Sequence, residues 1–179
     1  MVDSHAVIRS ERLELPLLTL MQLDQVAAGD ASALARALEA EIGDDWVDEV
    51  RWLAGRRARQ VREVPSDAPW LLRALIRAEP QKARQAIGYL NFHAGPDQRG
   101  MVEIGYTLLP EFRGQGYAIE AVRAVFDWAR RVHGIHRFRA SVAPDNERSH
   151  NLIAKLGFVR TGEQWDPEDG LEYVYELEG

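Results

Sequence analysis

The spacing of apolar residues divides the chain into a helical first part and a second part rich in strands. Residues 12–15 alternate polar and apolar side chains, which predicts a short first strand. From about residue 19 to 40, apolar residues recur at three- and four-residue steps, which predicts two short helices with Asp30 or Ser32 as the N-cap of the second. A third helix is predicted in DDWVDEVRWLAGRRARQVREV.

The pattern of apolar residues in the second part predicts most of the strands of a sheet. Three strands are predicted in PWLLRALI, AIGYLNFH and MVEIGYTLL, and a helix from about Ala118 to Gly134 follows. Then come a strand in HRFRASVA, a helix that ends at Gly157, and two strands in FVRTGEQW and LEYVYELE. This order predicts a mixed α/β (α+β) fold, with a mostly antiparallel central sheet of about seven strands, helices flanking it, and a parallel crossover in the second half.

Composition and charge exclude several classes of protein. The chain has 179 residues, 46% hydrophobic and 28% charged, which suits one folded domain. Its net charge of −6 gives no reason to expect a nucleic acid or an anionic membrane as partner, and a cationic substrate would suit it better. No apolar run reaches the ~20 residues of a membrane span, and the first ten residues do not resemble a signal peptide, so we expect a cytoplasmic protein.

The absence of cysteine limits the chemistry. With no cysteine in the sequence, a disulfide, a cysteine-based zinc site and a thiol nucleophile are excluded, and we expect no metal. Any group transfer would therefore pass directly between two bound substrates.

The stretch FRGQGYAIEA places two glycines at the start of the fourth helix. A helix N-terminus presents unpaired N–H groups, and glycine lets an anion approach them, although glycine is also common in ordinary strand-to-helix turns. The stretch lacks the Lys-Ser or Lys-Thr of a P-loop, and Ile119 stands where a dinucleotide fingerprint needs a small residue. What remains is the pattern R-x-x-G-x-A, formed by Arg113, Gly116 and Ala118.

This pattern resembles motif A of the GNAT superfamily of N-acyltransferases, whose loop binds the pyrophosphate of acetyl-CoA. The flanking sequences VEIGYTLLPEF and NERSHNLIAKLGF resemble the Rim-type branch of ribosomal-protein N-terminal acetyltransferases, over about residues 101–163. The resemblance implies a single N-acetyltransferase domain over residues 1–179, with an acceptor-side helical segment at about 18–64 and a cofactor-binding core at about 86–163. It also suggests a homodimer.

The resemblance assigns cofactor contacts to specific positions. The backbone of Leu108 and Leu109 would pair with the pantetheine arm, and Asn146 would contact the same arm. A bulge at Gly105 would help to splay two parallel strands and admit the cofactor. The pyrophosphate would be held, chiefly through N–H groups, by Arg113, Gly114, Gln115, Gly116, Tyr117 and Ala118.

Two residues are candidates for the chemistry. Glu103 matches a position proposed as the general base in Rim-type enzymes, although on an alternating strand it could simply face solvent. Ser149 occupies the position of the general acid, which is often tyrosine elsewhere in the superfamily, and it could equally cap a helix or bind the cofactor. His93 and His150 could titrate near neutral pH, but lone histidines are more often structural.

Three functions fit these residues. The first is an acetyl-CoA-dependent N-acetyltransferase for a primary amine such as a protein N-terminal α-amine. The second is an acetyltransferase for a small amine, such as an antibiotic, polyamine or amino acid. The third is a non-catalytic acyl-CoA-binding sensor. The basic run at residues 55–59 could recognise an acidic acceptor or the cofactor's 3′-phosphate, but we expect a solvated helix face there.

Overall fold

The computed structural model describes residues 7–168 and 170–179. Its strands are β1 (Ile8–Arg9), β2 (Leu13–Leu15), β3 (Arg73–Arg77), β4 (Gln85–Phe92), β5 (Met101–Leu108), β6 (Arg137–Val142), β7 (Val159–Asp166) and β8 (Gly170–Glu178). Its α-helices are α1 (Leu20–Ala27), α2 (Ser32–Leu38), α3 (Asp44–Glu63), α4 (Tyr117–His133) and α5 (Glu147–Leu156). Two 3₁₀ segments, Pro65–Trp70 and Pro110–Phe112, precede β3 and α4.

All eight strands form one sheet in the order β1-β2-β3-β4-β5-β6-β8-β7. Every neighbouring pair is antiparallel except β5 and β6, which are parallel because α4 connects them. The mixed, mostly antiparallel fold is therefore confirmed. The sheet has eight strands rather than about seven because the two-residue strand β1, too short to show an alternating pattern, pairs with β2.

The parallel pair separates partway along its length. β5 and β6 pair only where Met101–Glu103 faces Arg137–Arg139, although β5 continues to Leu108. Over the remainder of β5 the pairing continues on the other side, from Phe92↔Ile104 to Gly88↔Leu108 of β4. A gap between β5 and β6 therefore opens beyond Glu103, as the family resemblance led us to expect.

The predicted cause of this gap is wrong. The β4–β5 register passes Gly105 one residue for one residue, from Gly88↔Leu108 to Phe92↔Ile104, so no bulge occurs there on the β4 side. A side chain at Gly105 would instead crowd its neighbours, because an added Cβ would lie 3.1 Å from both Asn91 Nδ2 and His93 Nε2. Glycine at 105 makes room for the side chains of Asn91 in β4 and of His93 just after it.

Helix α3 is fixed against the sheet by a buried tryptophan. Trp46 is fully buried, and its Nε1 donates a hydrogen bond of 2.7 Å to the carbonyl oxygen of Gly88 in β4. At α2 the N-cap is Ala31 rather than Asp30 or Ser32. Asp30 still contributes, since its Oδ1 accepts the N–H of Ser32 at 2.8 Å. The sequence pattern indicated the right residue for the hydrogen bond but the wrong cap position.

Helix α4 is anchored at both ends. It begins after Gly116 and ends at Gly134, and both glycines adopt the left-handed conformation, with φ of 84° and 67°. Its apolar side packs into the core, where Phe126 stacks on Phe138 of β6 at 3.8 Å between ring centroids. The anchored helix presents its N-terminus beside the gap between β5 and β6.

Candidate functional site

Two cavities meet at the gap between β5 and β6. The first, which we call the loop cavity, has a volume of about 450 Å³ and is lined by the end of β5, the loop before α4 and the first turns of α5. The second, which we call the Glu103 cavity, has a volume of about 460 Å³ and is lined by α3 and strands β4 to β8. Tyr106 and Thr107 of β5 line both cavities. The two cavities therefore adjoin along this part of β5.

The loop before α4 has the backbone of an anion site. Gly114 and Gly116 have φ of 74° and 84°, which a residue with a side chain rarely adopts. No described side chain caps the N-terminus of α4, so the N–H groups of its first turn remain for a ligand. Arg113 folds back over the loop, and its Nε donates a hydrogen bond of 2.9 Å to the carbonyl oxygen of Leu108.

Most of the residues predicted to bind the cofactor lie at the loop cavity, and three do not. The predicted residues that line it are Leu108, Arg113, Gly114, Gly116, Ala118 and Asn146. Gln115 points outward and donates to Glu111 O at 2.8 Å. Tyr117 is fully buried, and its hydroxyl donates to Glu79 Oε2 at 2.5 Å. Leu109 is buried, and its N–H is already bonded to Ile87 O at 2.9 Å.

The loop cavity also contains two basic residues that the sequence reasoning missed. Arg148 and Lys155 of α5 line it together with Arg113, and no carboxylate is among its described lining residues. Their spacing through Leu152 places them on one face of α5, which the sequence NERSHNLIAKLG could have indicated. Three cations around an uncapped helix N-terminus make this cavity suitable for a polyanion.

The start of α5 carries Asn146 and Ser149. Asn146 is the N-cap, and its Oδ1 accepts the N–H of Ser149 at 3.1 Å. The Ser149 side chain lines the loop cavity beside Tyr106, whose hydroxyl oxygen is buried and lacks a hydrogen bond of normal geometry. Burial raises the pKa of Tyr106, and its interaction with Ser149 partly offsets this change.

His150, the next residue, has a structural position. Its Nε2 contacts Ala143 O and its Nδ1 contacts the Tyr175 hydroxyl, both at 3.1 Å. With both ring nitrogens engaged, His150 ties α5 to the neighbouring strands.

Glu103 is held at the Glu103 cavity by a polar chain across the sheet. Its side chain is only 22% exposed, and its Oε1 accepts a hydrogen bond of 2.6 Å from Ser141 Oγ of β6. Ser141 Oγ in turn accepts from Gln164 Nε2 of β7 at 3.1 Å. The same Glu103 oxygen lies 3.7 Å from His93 Nδ1. Glu103 is therefore oriented into the site rather than free in solvent.

His93 faces Glu103 across the same cavity. Burial lowers the pKa of His93, Glu103 opposes this change, and the cations Arg57 and Arg56 reinforce it. A lowered pKa leaves the imidazole neutral at neutral pH, so His93 can accept a proton. No local pattern pairs His93 with Glu103, because the two residues become neighbours only through the β4–β5 pairing.

The basic run at residues 55–59 is only partly a solvated helix face. Arg57 is 5% exposed, and its Nε and Nη2 donate to Asn91 Oδ1 at 3.0 and 2.6 Å. Its Nη1 donates to Gln60 Oε1 at 2.6 Å and to His93 O at 3.1 Å. Burial lowers the pKa of Arg57 to about 10. Arg57 therefore supports the floor of the Glu103 cavity, and the expectation for this run is wrong at that position.

The Glu103 cavity has more acidic than basic residues. Its acidic lining residues are Glu103, Asp166, Glu168 and Glu172, and its basic ones are Arg56 and Arg57. Arg56 pairs with Glu168 at 3.1 Å, and Arg57 makes the hydrogen bonds described above. The cavity thus favours a cationic ligand, whereas the loop cavity favours an anion.

The described residues contain neither a candidate metal site nor a membrane-spanning helix. Among residues 7–168 and 170–179, no group of three His, Asp or Glu side chains could hold a metal ion. Within the same ranges, no helix has the length and apolar character needed to cross a membrane.

Comparison with known proteins identifies related sequences. Residues 12–159 match the family model described as an acetyltransferase (GNAT) domain. The uncharacterized N-acetyltransferase YoaA of Bacillus subtilis is 33% identical over 97 residues, which cover 53% of this chain and 55% of that protein. The ribosomal protein uS5-alanine N-acetyltransferase of Escherichia coli is 37% identical over 59 residues, which cover 33% of this chain and 30% of that protein. The chain matches about half the length of the first curated relatives.

A solved structure has a similar fold. The Microcin C7 self immunity acetyltransferase MccE, in complex with acetyl-CoA and AMP, superposes with a TM-score of 0.64 and 15% identity. The alignment covers 95% of this chain and 94% of that one.

Proposed function

Because the chain belongs to the GNAT acetyltransferase family, we propose that it transfers the acetyl group of acetyl-CoA directly to a primary amine. The observation that carries this proposal is the meeting of two cavities of opposite charge at Tyr106 and Thr107. The domain would extend over residues 1–179, with acceptor-side helices at about 18–64 and a cofactor-binding core at about 86–163. A cytoplasmic location and a homodimer remain expectations within this proposal.

The loop cavity would hold the acyl donor. The N–H groups from Arg113 to Ala118 would bind the pyrophosphate, with Gly114 and Gly116 giving it access to the backbone. Arg148 and Lys155 would add charge for further phosphate oxygens. Leu108 and Asn146 would contact the pantetheine arm. Gln115, Tyr117 and Leu109 would act only through the loop backbone or by supporting it, because their side chains point elsewhere.

The Glu103 cavity would hold the amine. Acetyl-CoA supplies a thioester that a neutral amine can attack, so the residues of the chain have to remove a proton from nitrogen and deliver one to sulfur. Glu103, fixed by Ser141 and facing His93, would take the amine's proton directly or through water. Ser149, at the loop cavity beside Tyr106, would assist the leaving thiolate.

A protein N-terminal α-amine is the acceptor that we favour. An α-amine with a pKa of about 7.8 is roughly one-seventh neutral at pH 7, whereas a lysine side chain is neutral in only about one molecule in 2,500. The acidic lining of the Glu103 cavity would attract the ammonium form. The relative named as a ribosomal protein uS5-alanine N-acetyltransferase supports this choice.

A small amine is the second candidate. The relatives include a phosphinothricin N-acetyltransferase of Streptomyces coelicolor, 32% identical over 101 residues. The volume of the Glu103 cavity, about 460 Å³, suits a molecule of that size class. The third candidate, a non-catalytic acyl-CoA sensor, would bind the donor without turnover.

An acceptor screen tests these alternatives. Release of the CoA thiol would be followed with acetyl-CoA and three sets of acceptors: peptides with a free N-terminus, the same peptides with a blocked N-terminus and an internal lysine, and small amines. We expect turnover on free N-termini and little on the blocked peptides. Turnover on small amines alone would favour the second candidate, and tight CoA binding without turnover would favour the sensor.

A further inference from the structure

Tyr106 occupies an unusual place between the two cavities. It lies on β5 beyond Glu103, where β5 has lost its pairing with β6, and it is one of two described residues that line both cavities. Its hydroxyl oxygen is buried and makes no hydrogen bond of normal geometry within the described part of the chain. Buried hydroxyl groups are nearly always hydrogen-bonded, so this group lacks a partner that a bound molecule could supply.

Ser149 is the polar residue whose side chain interacts with this hydroxyl. Both residues line the loop cavity, and the interaction with Ser149 acts on the titration of Tyr106. The N–H of Ser149 is held by Asn146, which fixes the first turn of α5 at this spot. Two hydroxyl-bearing residues from different elements therefore line the loop cavity together, and one of them, Tyr106, also lines the Glu103 cavity.

A serine hydroxyl alone is a weak source of protons for a thiolate. A phenol ordinarily titrates near 10, much closer to the ~8.5 of a thiol. Tyr106 is protonated at neutral pH. Burial raises its pKa and opposes loss of the proton, whereas its interaction with Ser149 lowers the pKa and favours transfer in that direction. A serine placed between phenol and sulfur can accept one proton while it donates another.

We propose that Tyr106 supplies the proton for the departing thiolate, with the Ser149 hydroxyl as the relay between them. This rests on the proposed function. As the amine nitrogen forms its bond to the acetyl carbon, the carbon–sulfur bond breaks and the electron pair stays on sulfur. The sulfur takes the proton of Ser149, the Ser149 oxygen takes that of Tyr106, and water reprotonates Tyr106 as product leaves. The proton lost by the amine goes to Glu103.

The first test is Tyr106→Phe, which removes only the phenol oxygen. We expect kcat to fall at least tenfold, with the KM for acetyl-CoA and the calorimetric Kd for CoA within twofold of wild type. We also expect a Tm close to that of wild type, because no hydrogen bond of normal geometry is lost. A kcat within twofold of wild type would overturn the proposal, and so would a kcat loss accompanied by an equal loss of CoA affinity.

Tyr175→Phe is the matched control. This change also removes one phenol oxygen near α5, but that oxygen is bonded to His150. We expect a lower Tm and a kcat within twofold of wild type. If this variant lost as much kcat as Tyr106→Phe, loosening of α5 would explain both results and the relay would be rejected.

The second test combines Tyr106→Phe with Ser149→Ala. If both groups act in one relay, removing either one disables it. The double variant should therefore have a kcat within about twofold of the slower single variant. Losses that multiply would show independent roles and overturn the relay. If wild-type protein binds CoA but acetylates no amine, both the relay and the proposed function are contradicted. If wild-type protein acetylates an amine and the Tyr106→Phe variant does so equally fast, only the relay is contradicted.

Discussion

The two cavities are built in different ways, although they meet at the same gap. In the loop cavity the proposed anion site comes from one contiguous stretch, Arg113 to Ala118, whose glycine conformations and uncapped helix N-terminus leave backbone N–H groups for a ligand. The Glu103 cavity depends on side chains from α3 and from β4 to β8, connected by hydrogen bonds between residues far apart in the chain. A site made from backbone can be read from a short motif, whereas a site made from distant side chains depends on the pairing of the strands.

The largest effect should come from adding charge to the loop. Gly116→Glu places a side chain on a residue with φ of 84° and a carboxylate where a pyrophosphate would lie. We expect CoA affinity, measured by calorimetry, to fall at least about 100-fold through like-charge repulsion. Gly100→Glu is the control, since Gly100 also has a positive φ of 69° but lies in the β4–β5 connection. Equal affinity in the Gly116 variant and wild type would contradict the loop assignment.

A substitution in the Glu103 cavity should leave the affinity for CoA unchanged. Glu103→Gln keeps the shape of the side chain but removes the proposed base, and we expect kcat to fall about 100-fold. The calorimetric Kd for CoA should remain within twofold of wild type. Glu163→Gln, at an exposed position of β7, should change neither quantity. An unaltered pH–rate profile in the Glu103 variant would exclude this residue as the base.

The buried arginine should affect stability more than its exposed neighbour does. Arg57→Leu leaves Asn91 Oδ1 without its donors and removes one of the two donors to the His93 carbonyl oxygen, which keeps its hydrogen bond from Gln60 Nε2. We expect the free energy of unfolding to fall by about 1–3 kcal/mol in urea titrations. Arg56→Leu removes one exposed ion pair and should cost under about 1 kcal/mol. Equal losses in the two variants would mean that Arg57 does not support the cavity floor.

The smallest effect should appear in the pH dependence of stability. In the unfolded chain His93 binds its proton below about pH 6.5. In the folded protein its pKa is lower, so the unfolded state binds more protons just below pH 6.5, and stability is lost as the pH falls through this window. His93→Gln removes this contribution while His133, whose pKa burial also lowers, remains. The variant should therefore lose less stability than wild type between pH 7.5 and 5.5, and an equal or larger loss would contradict the assignment.

Sequence reasoning was most successful where local pattern decides the structure. The succession of elements along the chain from β2 onward and the glycine turn before α4 follow from periodicity and turn chemistry. It failed where tertiary packing decides, as for Gly105, where the side chains of Asn91 and His93 rather than a bulge require glycine. The burial of Arg57 in a basic run and the pairing of His93 with Glu103 could not be inferred, because both depend on the register of β4.

A crystal structure with bound CoA would test most directly whether the two cavities form one site. We expect the pyrophosphate on the N–H groups between Arg113 and Ala118, and the thiol in the gap between β5 and β6, near Tyr106 and Ser149. Phosphates bound elsewhere, or a thiol that points away from the Glu103 cavity, would contradict acetyl transfer across this gap.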